Sequence, residues 1–234
     1  VSRLHSLYGS GRHIRNYIEG TLINYTIIED FLDPEHARQV ANIIKDDTNW
    51  VHVYKTNKKH NPVELSHSFK DKKERSTQQK LLQQSLMSDE FTFKQKRMAR
   101  HRETCRCAYC SLINDTLLSS DFIEYLETLS NLQDLDLISH FASIFDVGDF
   151  LSIHKDPKYD VAYILNLSED WKYEYGGCLT VFDDERPTVI LPKFNSLVLM
   201  FLEPEGIEHY VSEVSQLAPE PRIAVSGWYN RNSS

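Results

Sequence analysis

Long apolar runs are missing from this chain. No stretch approaches the roughly 18 residues that a membrane-crossing helix needs, and the opening VSRLHSLYGSGRHIR lacks the apolar centre of a secretory signal. An excess of positive charge is missing too. Lys and Arg number 26 against 34 Asp and Glu, a formal net charge of −8, which leaves no electrostatic footprint for nucleic acid and suits a solvated surface. Cysteine is scarce. Of four, Cys105, Cys107 and Cys110 crowd into TCRCAYC while Cys178 stands apart, which is not the spread of a disulfide framework. These absences predict a cytoplasmic protein with no membrane or nucleic-acid partner, and they leave its oligomeric state open.

What is present suits a folded enzyme. The 234 residues are 41% hydrophobic, with 12 Tyr and 11 Phe, enough for one domain with a substantial core. TCRCAYC itself has two readings. It is a set of reduced thiols in a polar loop or helix, or a structural zinc site in which His101 joins Cys105, Cys107 and Cys110. Zinc accepts such N/S ligand sets, but the one-residue gap between Cys105 and Cys107 is tighter than its usual spacing. The first reading is therefore preferred.

Residues 1–20 read as a tail, and 21–135 as a helical support region with a polar insert. In the latter, Tyr25, Ile27 and Ile28 form an apolar strand. Asp33 then caps a helix with Pro34 at its first position and Ala37, Val40, Ile43 and Ile44 at helical spacing. From about Val53 to Thr104 the chain is rich in Lys, Arg, Gln and Ser. This stretch predicts a solvated surface with one short amphipathic helix near Lys80–Met87. A clearer helix follows in SSDFIEYLETLSNL, starting near Ser120 or Asp121.

From about residue 136 to 234 short apolar runs alternate with turn residues: LISHFASIF, DVGDFLSIH, VAYILNL, CLTVF, TVILP, SLVLMF, HYVSEV and RIAVSGWY. No βαβ rhythm appears, and the spacing predicts a β sandwich or barrel. The expected fold is mainly β, a jelly roll core supported by the N-terminal helices, forming one integrated domain.

In HKD, His154 and Asp156 are two apart and share one face if the segment is extended. His209 on a later segment completes a two-His-one-carboxylate set, which leaves metal positions open for a ferrous ion's other ligands. Alone, such a set in a chain with 10 His is weak. Its surroundings are more specific: GDFLSIHKD, LNLSEDW, GGCL, PKFNSLVLMF, His209 and then RIAVSGW, in that order.

These segments resemble the prolyl-hydroxylase branch of the 2-oxoglutarate/iron(II) dioxygenase superfamily, over roughly Asp136–Asn230. The ribosomal-protein prolyl hydroxylases and their bacterial relatives are nearest, and the hypoxia-sensing prolyl hydroxylases lie further off. The resemblance implies a double-stranded β-helix, iron(II) held by His154, Asp156 and His209, and 2-oxoglutarate and O₂ as cosubstrates. It also implies that Arg222 clamps the distal carboxylate of 2-oxoglutarate. A guanidinium fork suits that task on chemical grounds, although a surface Arg at a strand entrance is the plainer alternative. Ser226 shares the face of Arg222. Where the hypoxia-sensing relatives carry two tyrosines, this chain has Phe145 and Ile164, so Tyr163 and Asn166 become the candidates for further cosubstrate contacts.

Asp156 favours hydroxylation over halogenation, because halogenases of the family have a small residue there. The implied substrate is a prolyl or other amino-acid side chain, peptidyl or free, with 53–116 and 157–160 as the segments that read it. A non-turnover metal or 2-oxoglutarate sensor and a cupin-type metalloenzyme independent of 2-oxoglutarate are the alternatives.

Overall fold

Side chains alternate across a strand, and that alternation divides the interior of this molecule into two apolar clusters. The computed structural model describes residues 24–47, 50–58, 61–66, 72–87, 91–98, 105–183, 186–202 and 206–232; the expected tail at 1–20 and His101 lie outside them. The strands are β1 (Tyr25–Ile28), β2 (Trp50–Lys58), β3 (Asn61–Ser66), β4 (Phe93–Met98), β5 (Leu135–Phe145), β6 (Phe150–His154), β7 (Val161–Asn166), β8 (Leu179–Asp183), β9 (Arg186–Ile190), β10 (Ser196–Phe201), β11 (His209–Val211) and β12 (Arg222–Arg231). They join antiparallel in the order β1-β10-β7-β12-β5-β4-β6-β11-β8-β9, with β2 pairing β4 and β3. The result is a curled jelly roll, mostly β.

The outer cluster lies between the β1-β10-β7-β12-β5 side and the helices. α1 (Pro34–Asp46), α3 (Ala108–Ser111), the π-helical stretch Leu112–Leu117 and α4 (Ser120–Ser130) supply Val40, Ile44, Leu112, Leu117, Phe122 and Leu126. The strands answer with Ala142, Ile144, Leu165, Leu197, Leu199, Ile223 and Val225. Burying a side chain such as Phe122 stabilises the fold by about 2–3 kcal/mol. The inner cluster takes the other parity: Phe145, Ala162, Val198 and Met200, facing Leu179, Val181 and Val211.

Local chemistry fixes the ends. Asp33 accepts hydrogen bonds from the N–H groups of Glu35 and His36, with Pro34 opening α1. Ser119, one residue earlier than the sequence suggested, caps α4 by accepting from Phe122 N–H. Asn195, at φ 57°, accepts from Leu32 N–H and donates to Leu32 C=O, tying the turn before β10 to the approach to α1. The Tyr229 hydroxyl donates to Leu117 C=O at 2.7 Å, closing the end of the π-helical stretch against β12.

The polar stretch departs from the sequence reading. Its helix, α2 (Lys72–Met87), is longer than predicted, and β2, β3 and β4 are strands of the main sheet. β4 bridges the two sides of the roll by pairing with both β5 and β6. Its period of two is concealed because the positions sharing a face with Phe93 are Gln95 and Arg97, while Lys94 and Lys96 alternate with them.

Candidate functional site

The end of β6 and the start of β11 run antiparallel and set His154 directly opposite His209. Asp156 follows two residues beyond His154. One ligand atom from each of the three lies within 4.8 Å of the others. His154 Nε2 is 3.9 Å from Asp156 Oδ1, and His209 Nε2 is 3.7 Å from Asp156 Oδ2.

Outer contacts orient the set. His154 Nδ1 lies 2.9 Å from Ser152 C=O and His209 Nδ1 lies 2.8 Å from Ile207 C=O. A carbonyl only accepts, so each Nδ1 carries the proton and each Nε2 offers its lone pair inward. Phe91 stacks on the His154 ring at 4.4 Å. Trp228 Nε1–H donates to Asp156 Oδ2 at 2.9 Å, and Tyr159 stacks on that indole. Burial, then the neighbouring His209, pushes His154 down to about 4 against the pull of Asp156. The imidazole is therefore neutral at pH 7, as a metal ligand must be. Two inward lone pairs and a carboxylate make an arrangement of acceptors that a divalent cation would satisfy.

Arg222 begins β12 on the inner face and is 2% exposed. No acidic side chain among the described residues pairs with it. Its Nη2 donates to Asn166 Oδ1 at 3.1 Å, its Nε has no hydrogen-bond partner, and Phe145 lies under its guanidinium at 5.0 Å. Burial pulls it down to about 10, which leaves it charged at neutral pH. A buried cation with an unused donor is costly unless an anion arrives, and a dicarboxylate reaching from the metal would supply one. Space for Arg222 comes from Gly177: at φ 63°, a Cβ there would sit 3.0 Å from Arg222 Cδ. Its neighbour Gly176 receives Trp171 Nε1–H on its carbonyl.

One cavity of about 420 Å³ joins the two features, and its lining includes His154, Asp156, His209, Arg222, Ser226 and Phe145. Ser226 faces it from the strand of Arg222. Asn166 is committed to Arg222 and, through Nδ2, to Ser196 Oγ at 3.2 Å, so it positions the guanidinium. Tyr163 belongs to the outer cluster with Tyr229 and closes the cavity floor from that side. Its hydroxyl is buried without a partner, and burial pushes its pKa well up.

Phe91, Phe93, Gln95 and Arg97 also line the cavity, and Arg97 lies 4.2 Å over the Phe141 ring. Sequence reasoning singled out none of these four individually. The Phe-x-Phe-x-Gln-x-Arg alternation was the available signal, hidden among charges. Trp228 was legible only within the motif RIAVSGW.

Comparison with known proteins agrees with this geometry. Residues 140–230 match the 2OG-Fe(II) oxygenase superfamily. The chain is 29% identical over 142 residues to the prolyl 3-hydroxylase sudestada1 of Drosophila melanogaster, covering 53% of this chain and 26% of the relative. It thus spans about a quarter of that protein's length. Among solved structures it is similar to a Pseudomonas putida prolyl-4-hydroxylase, with TM-score 0.54 and 16% identity over 90% of this chain and 94% of that one. A Trichoplax adhaerens prolyl hydroxylase in complex with a hypoxia-inducible-factor peptide fragment gives TM-score 0.54 and 14% identity, over 88% and 83% of the chains. The viral collagen prolyl hydroxylase of Paramecium Bursaria Chlorella virus-1 gives TM-score 0.52 and 13% identity, over 90% and 97%. At these identities the solved structures speak to the fold.

Proposed function

We propose that this chain, whose residues 140–230 match the 2OG-Fe(II) oxygenase superfamily, is an iron(II)- and 2-oxoglutarate-dependent dioxygenase that hydroxylates a prolyl side chain in a peptide or protein. The observation that carries the reading is the meeting, in one cavity, of the His154–Asp156–His209 set with a buried Arg222 that has no acidic partner among the described residues.

His154, Asp156 and His209 would hold the iron, and Arg222, steadied by Asn166, would hold the far carboxylate of 2-oxoglutarate. Ser226, on the same strand face, is placed to add a hydroxyl contact, and Tyr163 backs the floor. When bound, the iron and 2-oxoglutarate supply O₂ activation and oxidative decarboxylation to succinate and CO₂, delivering one oxygen atom to a C–H bond. The protein's own work is orientation and exclusion of water. Trp228 fixes the Asp156 carboxylate, Phe91 fixes the His154 ring, and Phe93, Phe141 and Phe145 keep the cavity apolar. Phe145 has no hydroxyl, so it packs under Arg222 instead of donating to the cosubstrate.

The prolyl assignment is supported by the Drosophila relative, a prolyl 3-hydroxylase. Arg97, Tyr159 and Trp228, which also line the cavity, offer a planar cation and aromatic faces to a peptide. A cytoplasmic location is supported by four cysteines without a disulfide. No helix among the described residues is long and apolar enough to cross a membrane.

The test is mass spectrometry of proline-containing peptides and free amino acids after incubation with the protein, Fe(II) and 2-oxoglutarate, with succinate measured in parallel. A gain of one oxygen on a prolyl residue together with succinate is expected. Tight binding of iron and 2-oxoglutarate without succinate on any substrate would favour a sensor. Turnover that survives Arg222→Ala undiminished would favour a metalloenzyme independent of 2-oxoglutarate.

A further inference from the structure

On the helix side of the sheet, away from the cavity, three thiols converge. Cys107 precedes α3 and its carbonyl accepts from Ser111 N–H at 3.0 Å. Cys110 lies in the only turn of α3, three residues on, where side chains share a face. Cys105 lies just upstream. The three sulfurs lie within 4.8 Å of one another, and Cys107 Sγ is 3.6 Å from Cys110 Sγ.

That separation excludes a disulfide and is short enough for both sulfurs to share one ion. A disulfide needs about 2.05 Å between sulfurs, whereas two thiolates at about 2.3 Å from a tetrahedral zinc ion stand roughly 3.8 Å apart. The observed spacing, made by the Cys107 thiol donating to Cys110 Sγ, fits a tetrahedron's edge once both protons are lost, and the third sulfur lies within 4.8 Å of both. The backbone beneath is firmly held. Cys107 and Cys110 pack against the outer cluster, Tyr109 between them is buried with its hydroxyl 3.2 Å from His140 Nδ1, and His36 Nε2 lies 3.2 Å from Ala108 C=O. All three cysteines are only half buried, so an ion can reach them.

We propose that Cys105, Cys107 and Cys110 form a structural site for a thiophilic d¹⁰ cation of the zinc class, with three thiolate ligands and a fourth, non-cysteine ligand, separate from the iron site. The ion would staple the chain where it enters the π-helical stretch Leu112–Leu117, whose last carbonyl receives the Tyr229 hydroxyl. Uptake exchanges thiol protons for the metal and changes no oxidation state. The inference does not depend on the activity proposed above, because it concerns different residues on the other face of the sheet.

The experiment uses the full chain, reduced and stripped of metal, titrated with Co(II) and followed in the near ultraviolet. Sulfur-to-cobalt charge transfer absorbs there, and a His/Asp site cannot produce it. The expected result is such a band, saturating at about one cobalt per chain as a single tetrahedral site requires. It should survive in His209→Ala and Cys178→Ser and vanish in the Cys107→Ser/Cys110→Ser double variant. Zinc displaces the band, and zinc measured by mass spectrometry on chain isolated without chelator follows the same pattern. The absence of a sulfur–cobalt band in the reduced wild-type chain overturns the proposal, and that measurement does not rely on any variant folding. A Cys107–Cys110 disulfide in chain isolated under anaerobic conditions overturns it too, by making the pair a redox couple.

Discussion

Asn166 and Trp228 act on the proposed site through other residues, and each makes one decisive hydrogen bond. The Asn166 amide accepts from Arg222 Nη2 and donates to Ser196. Asn166→Ala leaves a second donor of a buried guanidinium without a partner, at a cost of about 1–3 kcal/mol. We expect the dissociation constant for 2-oxoglutarate, read by calorimetry, to rise about 5- to 100-fold, with iron affinity unchanged. Trp228→Phe keeps an aromatic plane beside Tyr159 but removes the donor to Asp156 Oδ2. Loss of such an outer-shell partner weakens metal binding about 10- to 100-fold. The expected outcome is therefore the converse split: weaker iron binding in a competition titration, at unchanged stability. Equal effects of both variants on both ligands would mean that the two halves of the cavity are not separable.

At the scale of elements, the turn between β5 and β6 aims the strand that ends in His154. Asp149 in this turn accepts from Asp146 N–H and pairs with Lys94 at 2.6 Å. Burial pushes its carboxyl up to about 6, opposed by Lys94 and by the hydrogen bond from Asp146 N–H, with a slight further upward push from the Asp146 charge. A folded-state pKa above the unfolded value means that the native state binds more protons in between. This group's contribution is thus fully present below about pH 4 and lost as pH rises through about 6. In Asp149→Asn that segment of the pH profile should flatten by roughly 1–3 kcal/mol, measured as the difference in urea midpoints between pH 5 and pH 7. A wild-type profile no steeper than the variant's would show that Lys94 holds the carboxylate ionised throughout.

Elements also differ in how legible they were. β5 to β12 could be read because their inward positions are apolar and their boundaries carry Gly, Asp, Asn and Pro. β4 could not, because Gln95 and Arg97 occupy positions where a strand signal needs hydrophobes, and both line the cavity. The meeting of His154, Asp156, His209 and Arg222 in one cavity was readable because each stands inside an ordered motif. The contacts of Asn166 and Tyr163 were not, since strand parity gives a face but not a partner.

For the molecule as a whole, two ligands proposed to bind one cavity should stabilise the fold by linkage. A ligand at 100 times its dissociation constant contributes about 2.7 kcal/mol, or roughly 5–10 °C in melting temperature for a chain of this size. Adding Mn(II) with 2-oxoglutarate, each at 100 times its dissociation constant, should shift the melting curve by about twice that amount in the wild type. In Arg222→Ala only the metal's share should remain. A full shift in that variant would remove Arg222 from cosubstrate binding.

The sheet that carries Arg222 serves two interiors at once, with Ala142, Leu165 and Val225 facing the helices and Phe145, Ala162 and Val198 facing the cavity side. Neighbouring residues on one strand therefore answer to different selective demands. Saturation mutagenesis of β5, β7, β10 and β12, scored once for cellular abundance and once for turnover, should yield two stripes of period two, offset by one residue. Odd and even positions would then write separate records, one of foldability and one of chemistry, along the same few strands.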